Sequence, residues 1–231
     1  MGKCITIFRH KAGEHSSKLL PFVASFNGAT VVRGTLTFNE NCWYERPATG
    51  AEDYNKAFGV KKPVWNLSAH VESCMFAWRP IYEDVQRKRL TLAPYFHFTD
   101  VPKAVTGNEA FYRVGSGTAF ATRYELTVET GKPIDFEIRL RRDCYQITFW
   151  QQLFPNVEAV RVAITVPKND PYLHFLGINA WFVGQNKVVR DMSMRLDWEL
   201  FKDSAFSESL KVDWESLKSK LLPKPFVKMG T

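Results

Sequence analysis

The chain lacks the short motifs of several common enzyme classes. None of G-x-x-x-x-G-K-[ST], G-x-G-x-x-G, G-x-S-x-G or H-E-x-x-H occurs. Their absence argues against a P-loop NTPase, a dinucleotide-binding fold, an α/β-hydrolase and a zinc metalloprotease. The five histidines show no metal-ligand spacing either, so the sequence predicts no metal and no cofactor. These absences favour a non-enzymatic role.

Long apolar runs and closely spaced cysteines are also missing. The four cysteines form no C-x-x-C pair, and no apolar run approaches the ~20 residues of a membrane span. Without a signal-peptide pattern, we expect a cytoplasmic or virion protein with no transmembrane segment. Gly2 fits a loose myristoylation pattern, but the lysine after it and the strand character of Ile5 and Ile7 favour an unmodified N-terminal strand.

The chain is basic but has no dense basic arm. Its net charge is +7, and the lysines and arginines are spread along 231 residues. Such a balance favours weak attraction to a glycan or another anionic surface. A nucleic acid would have to bind without the run of consecutive cations that condenses a genome.

A strict period of two is the strongest pattern present. In residues 188–200, Met192, Met194, Leu196, Trp198 and Leu200 share one parity, and charged or polar residues occupy the other. This alternation places one face of a strand in a core and the other in water. It recurs in many short segments separated by turns, which predicts an all-β protein, an antiparallel, jelly-roll-like β-sandwich.

The same alternation locates individual strands. Strands are expected over 30–38, 65–77 and 90–98. In 65–77 the odd-numbered residues are expected to form the apolar face. The segment 46–63 is expected to be a surface loop. Pro94 suggests an edge strand or a bulge. Residues 173–183 and 188–200 are expected to pair as a hairpin.

The domain organisation is simple. The sandwich is assigned to residues 1–205. A C-terminal segment, 206–231, carries a short helix over 214–222, because Leu210, Trp214, Leu217 and Leu221 form one helical stripe.

Two sets of residues are candidates for a site. Asp197 and Glu199 share one face of a strand, about 7 Å apart, near the separation of glycosidase carboxylates. The alternative is a charged sheet surface, with Arg139 and Arg141 opposite them. Trp43 and Tyr44, beside Arg46, are the aromatics expected to be exposed and to bind a ligand such as a sugar.

The layout resembles the single jelly-roll of picorna-like virus coat proteins. The resemblance rests on Arg33–Phe38 as an early strand and on 173–183 with 188–203 as the last two. It implies a structural subunit that self-associates through loops and sheet edges. Two alternatives stay open: a carbohydrate- or ligand-binding sandwich that uses Trp43 and Tyr44, and a sandwich glycoside hydrolase that uses Asp197 and Glu199.

Overall fold

Two antiparallel sheets make up the part of the chain that the computed structural model describes, which is residues 4–14, 29–46, 54–62, 72–114, 117–155, 157–169, 175–178, 180 and 190–203. Met1–Phe201 forms one compact unit and Lys202–Thr231 a second. Within the described ranges, no helix has the length and apolar character needed to cross a bilayer. The predicted antiparallel β-sandwich is confirmed; the predicted helix over 214–222 lies outside the described residues.

The first sheet has six strands. In spatial order they are β1 (Cys4–His10), β13 (Met192–Phe201), β2 (Val31–Phe38), β9 (Pro133–Leu140), β10 (Cys144–Trp150) and β11 (Arg161–Pro167). All neighbours are antiparallel. The alternation that predicted β13 is confirmed, since Met192, Met194, Leu196 and Trp198 are buried.

The second sheet has seven strands. In spatial order they are β12 (Leu176–Ile178), β3 (Asn55–Lys61), β4 (Ser73–Pro80), β5 (Arg89–His97), β7 (Ala119–Thr122) and β6 (Phe111–Arg113), with β8 (Leu126–Glu129) also paired to β5. The short strands β7 and β6 continue the sheet beyond β5.

Aromatic rings fill the space between the two sheets. Phe136 of β9 lies 5.7 Å from Phe58 of β3 and 5.5 Å from Phe76 of β4, and Phe76 lies 5.4 Å from Phe149 of β10, measured between ring centroids. All four side chains are buried. Their tilted and edge-on arrangements are those that aromatic rings prefer, so this cluster joins the sheets.

Two expectations about strand assignment are wrong. The segment 46–63 was expected to be a surface loop but contains β3. Every residue of β3 is buried, because the strand lies inside the sheet between β12 and β4. The described parts of 173–183 and 188–200 do not form a hairpin, because β12 pairs with β3 while β13 pairs with β1 and β2.

The parity predicted for 65–77 is reversed in its described part. Cys74, Phe76 and Trp78 face the core, whereas Met75 and Ala77 face outward. Both faces of β4 carry apolar residues, because the outer face of this sheet also holds a small apolar cluster. The sequence pattern therefore could not show which face of β4 packs in the core.

Pro94 does not mark an edge strand. It lies in β5, which pairs with β4 from Leu90 to His97. On its other side, β5 pairs with β8 at Arg89–Leu92 and with β7 at Tyr95–His97. Pro94 therefore lies where β5 changes partner, a position where a missing N–H costs no hydrogen bond of a continuous ladder.

Candidate functional site

The outer face of the seven-stranded sheet has a floor of small side chains. Residues on β4, β5 and β7 that point away from the core include Ala77, Ala93, Ala119 and Ala121, and Gly59 lies next to them on β3. Residues this small leave room above a sheet for larger side chains to converge. The side chains that do so are cations, tyrosines and a histidine.

Two cations lie across tyrosine rings on this face. The Nζ of Lys56 is 4.4 Å from the ring centroid of Tyr95 and donates to the carbonyl oxygen of Tyr54, 3.3 Å away. The guanidinium of Arg79 is 4.8 Å from the ring centroid of Tyr54. These cation–ring contacts fix the positions of both positive charges. We call Lys56, Arg79, Tyr95 and His97 the basic face.

His97 occupies the end of this face. It follows Tyr95 by two residues on β5, so both side chains point outward. Its Nε2 lies 3.4 Å from the Oγ1 of Thr118, and its Nδ1 is buried without a hydrogen-bond partner among the described residues. Burial lowers the pKa of His97 below its ordinary 6.5, and the nearby charge of Lys56 lowers it further, against an opposing effect of Glu72.

The lowered pKa means that the His97 imidazole is mostly neutral at pH 7. A neutral imidazole can accept a proton on its deprotonated ring nitrogen. Because Nδ1 is buried, the nitrogen that would meet a ligand is Nε2, beside the Thr118 hydroxyl.

Further along the face, two tyrosines hold one carboxylate. The hydroxyls of Tyr54 and Tyr112 both donate to the Oε1 of Glu125, the second over 3.3 Å, and the two rings are 6.5 Å apart. Burial, followed by the hydrogen bond to Glu125, raises the pKa of Tyr54. Burial also raises the pKa of Tyr112. Both phenols therefore stay protonated and act as donors.

No metal site accompanies this arrangement in the part of the chain that can be described, where no three His, Cys, Asp or Glu side chains converge. The chemistry available on the basic face is that of fixed cations, phenol donors and one proton acceptor.

The ligand-binding residues expected from the sequence lie elsewhere. Trp43 and Tyr44 are only 5% and 4% exposed, so their expected exposure is wrong. The Nε1 of Trp43 donates to the carbonyl oxygen of Ile81, 3.1 Å away, and the hydroxyl of Tyr44 accepts from the Nδ2 of Asn55 at 2.9 Å. Both rings have polar partners inside the core, which is why they could be buried.

Arg46 is half exposed. Its Nη2 pairs with Glu83 at 2.9 Å, and its guanidinium lies 5.1 Å from the ring centroid of Tyr82. A ligand contact by Trp43, Tyr44 or Arg46 stays a prediction.

Asp197 and Glu199 lie on the outer face of the six-stranded sheet, away from the basic face. Arg195 holds both carboxylate oxygens of Asp197, at 2.9 and 3.1 Å. Glu199 is opposite Arg33 of β2 in the strand register. The expectation that Arg139 and Arg141 lie opposite is wrong, because β2 separates β13 from β9. The pairing with Arg195 fits a charged sheet surface; a catalytic role stays untested.

Sequence reasoning missed the basic face. Lys56 was assigned to a surface loop, and Arg79 lies just beyond the strand that was expected over 65–77. Tyr95 and His97 could have been found, because they alternate with Leu92, Pro94 and Phe96 and so had to face away from the core.

Comparisons with known proteins find a likeness in structure. No protein-family model and no curated protein sequence matches the chain. Among solved structures, it is similar to the marine PL-14 alginate lyase from Aplysia kurodai, with a TM-score of 0.53 and 11% identity over 85% of this chain and 82% of that one. At this identity the likeness shows the β-sandwich fold alone. It says nothing of virus coat proteins, so the resemblance to them, and self-association, stay predictions.

Proposed function

We propose that the outer face of the seven-stranded sheet binds an acidic carbohydrate chain and cleaves it by β-elimination. The observation that carries the proposal is that the Lys56 ammonium lies over Tyr95, two residues from the neutral imidazole of His97, on one face of the sheet. Arg79 adds a second positive charge further along the same face, level with Thr91. The cations would pair with a carboxylate of the sugar, and His97 would act as the base for the carbon next to that carboxylate.

The step needs no water, metal or oxidant. His97 removes the proton from the carbon next to the carboxylate, and Lys56 stabilises the negative charge that builds on the carboxylate oxygens. The electron pair forms a carbon–carbon double bond as the neighbouring glycosidic C–O bond breaks. The hydroxyl of Tyr95 gives its proton to the departing oxygen. His97 and Tyr95 then regain their starting protonation states from solvent.

One tyrosine ring supports a sugar ligand over other anions. Tyr112 is half-buried and combines an apolar ring with a polar edge, a combination suited to contact with sugar rings and their hydroxyls. Tyr54 and Tyr95 are buried, and their rings orient Arg79 and Lys56. The structural neighbour is named an alginate lyase, and alginate is an acidic polysaccharide. That name agrees with the proposed ligand class. The carbohydrate-binding alternative is thereby kept, with its site moved from Trp43 and Tyr44 to the basic face.

The test separates binding from cleavage. Alginate and polygalacturonate are the acidic probes and dextran is the neutral one, with titration calorimetry for affinity and ultraviolet absorbance for the new double bond. We expect the wild type to bind the acidic chains only. His97→Gln should keep most of the affinity and lose the absorbance change.

Lys56→Met should lower affinity roughly tenfold or more, the loss expected when a hydrogen bond to a charged group is removed. The matched control is Lys132→Met, which removes a lysine at the turn between β8 and β9. Equal losses in the two lysine variants would show that only net charge matters, and binding of dextran as tight as of alginate would refute the proposal.

A further inference from the structure

We infer that the basic face takes a polysaccharide in which a uronic acid alternates with an uncharged sugar; this rests on the proposed function. The inference comes from Glu125, an exposed carboxylate that lies among the cations of this face. Glu125 directly precedes β8, and the register of β8 on β5 places it level with Ala93. A chain that crosses the face therefore meets a negative charge as well as positive ones.

The positive charges of Lys56 and Arg79 lie at different levels of β5, on either side of Glu125. The Lys56 ammonium is over the ring of Tyr95, which is two residues past the level of Glu125 toward the end of β5. Arg79 is opposite Thr91, two residues before that level. Tyr95 and Thr91 are therefore about 13 Å apart along the strand. The order of charge along the face is positive, negative, positive.

Glu125 and Tyr112 together suit an uncharged sugar. The hydroxyls of Tyr54 and Tyr112 both donate to Oε1 of Glu125, which fixes the carboxylate. Its other oxygen, Oε2, has no hydrogen-bond partner among the described residues, so it can accept from a sugar hydroxyl or amide N–H. The half-buried ring of Tyr112 lies beside it and offers an apolar surface to the sugar ring.

A sugar carboxylate in the same place would be repelled by Glu125. Homopolymers of uronic acid carry a carboxylate on every sugar, and the distance between the two cations is longer than a single sugar unit. Pairing such a chain with both Lys56 and Arg79 therefore brings a further carboxylate against Glu125. A chain with an uncharged sugar between its uronates pairs with both cations and avoids this repulsion.

Octasaccharides of hyaluronan and alginate test the inference in titration calorimetry. Hyaluronan alternates a uronate with an uncharged sugar, whereas every sugar of alginate is a uronate. We expect the wild type to bind the hyaluronan octasaccharide roughly fivefold or more tightly, through one added hydrogen bond and one avoided like-charge contact. Attraction by net charge alone predicts the opposite order, because the alginate octasaccharide carries twice as many carboxylates.

Glu125→Gln removes the negative charge, while its amide oxygen still accepts from both phenols. This variant should bind the two octasaccharides with affinities within about twofold of each other, mainly because it binds alginate more tightly. The matched control is Glu40→Gln, which removes an exposed carboxylate paired with Lys88. It should keep the wild-type preference for hyaluronan.

Two results would overturn the inference: tighter binding of alginate than of hyaluronan by the wild type, or an unchanged preference in Glu125→Gln. Both results leave the proposed function standing, because an acidic chain still binds. If the wild type binds neither octasaccharide and no polygalacturonate, the proposed function fails and the inference fails with it.

Discussion

Replacing Gly59 with alanine should destabilise the protein, although glycine inside a strand is usually a weakness. A Cβ at this position would lie 2.3 Å from the carbonyl oxygen of Cys74 and 2.6 Å from the Cα of Met75. Both atoms belong to the backbone of β4, so no side chain can turn aside. Restoring an ordinary contact of 3.4 Å requires β3 and β4 to separate by about 1 Å locally.

Two effects of opposite sign compete in this variant. Removing the conformational freedom of glycine from the unfolded chain favours alanine by about 0.4–1 kcal/mol. Forcing a methyl group into a closed space costs typically about 1–3 kcal/mol. The close backbone approach makes the second effect the larger one. We expect a net loss of about 1–2 kcal/mol, a sizeable part of a typical folding stability of about 5–15 kcal/mol.

Urea unfolding followed by tryptophan fluorescence measures the loss as a lower midpoint at an unchanged slope. Gly117→Ala is the control, because its nearest neighbour would be a side-chain atom of Arg113 at 3.6 Å. It should stay within about 0.5 kcal/mol of wild type. A Gly59→Ala variant as stable as wild type would refute the reasoning. Because Lys56 is three residues away on the same strand, alginate affinity should fall as well.

Three further outcomes follow from the described contacts. Since its pKa is lowered, His97 contributes stability that is complete above pH 6.5 and is lost as the pH falls through the folded-state pKa. The His97→Gln variant should therefore show a smaller fall in melting temperature below pH 6.5, and a curve identical to that of the wild type would contradict this. Trp43→Ala should lower the free energy of unfolding in urea by about 3–5 kcal/mol, because the ring is buried. Its alginate affinity should equal that of the wild type once unfolded protein is allowed for, and a selective loss of affinity would show that Trp43 contacts the ligand. The Asp197→Asn, Glu199→Gln double variant should cleave alginate at the wild-type rate, since both residues lie on the other sheet; a loss of turnover in folded protein would show that the site is misplaced.

The parts of the fold that the sequence predicted are those with one apolar and one polar face. β13, β2 and β9 alternate cleanly because their outer faces carry charges such as Arg195, Asp135 and Glu137. The outer face of β4 carries Met75 and Ala77 instead, so the polar signal that identifies a core face was missing. Pairing between distant segments, such as β12 with β3, leaves no local signal at all.

The candidate site escaped prediction for a related reason. Lys56 and Phe58 have the same parity in the sequence but lie on opposite faces, because the register of β3 on β4 shifts between them. Trp43 and Tyr44 were expected at the surface because they adjoin a loop, yet hydrogen bonds to Ile81 and from Asn55 satisfy their polar groups inside the protein.

The register shift in β3 also affects how the proposed binding face could change over time. Ala57 is the extra residue, buried beside Phe58, and an insertion of this kind bends a strand and increases its twist. Without Ala57, Lys56 would still point outward and Phe58 inward, so both surfaces of the strand would keep their chemistry. Only the curvature would differ. Related chains could therefore gain or lose a single residue here and reshape the basic face for a straighter or more curved polymer, with no change in the groups that contact it.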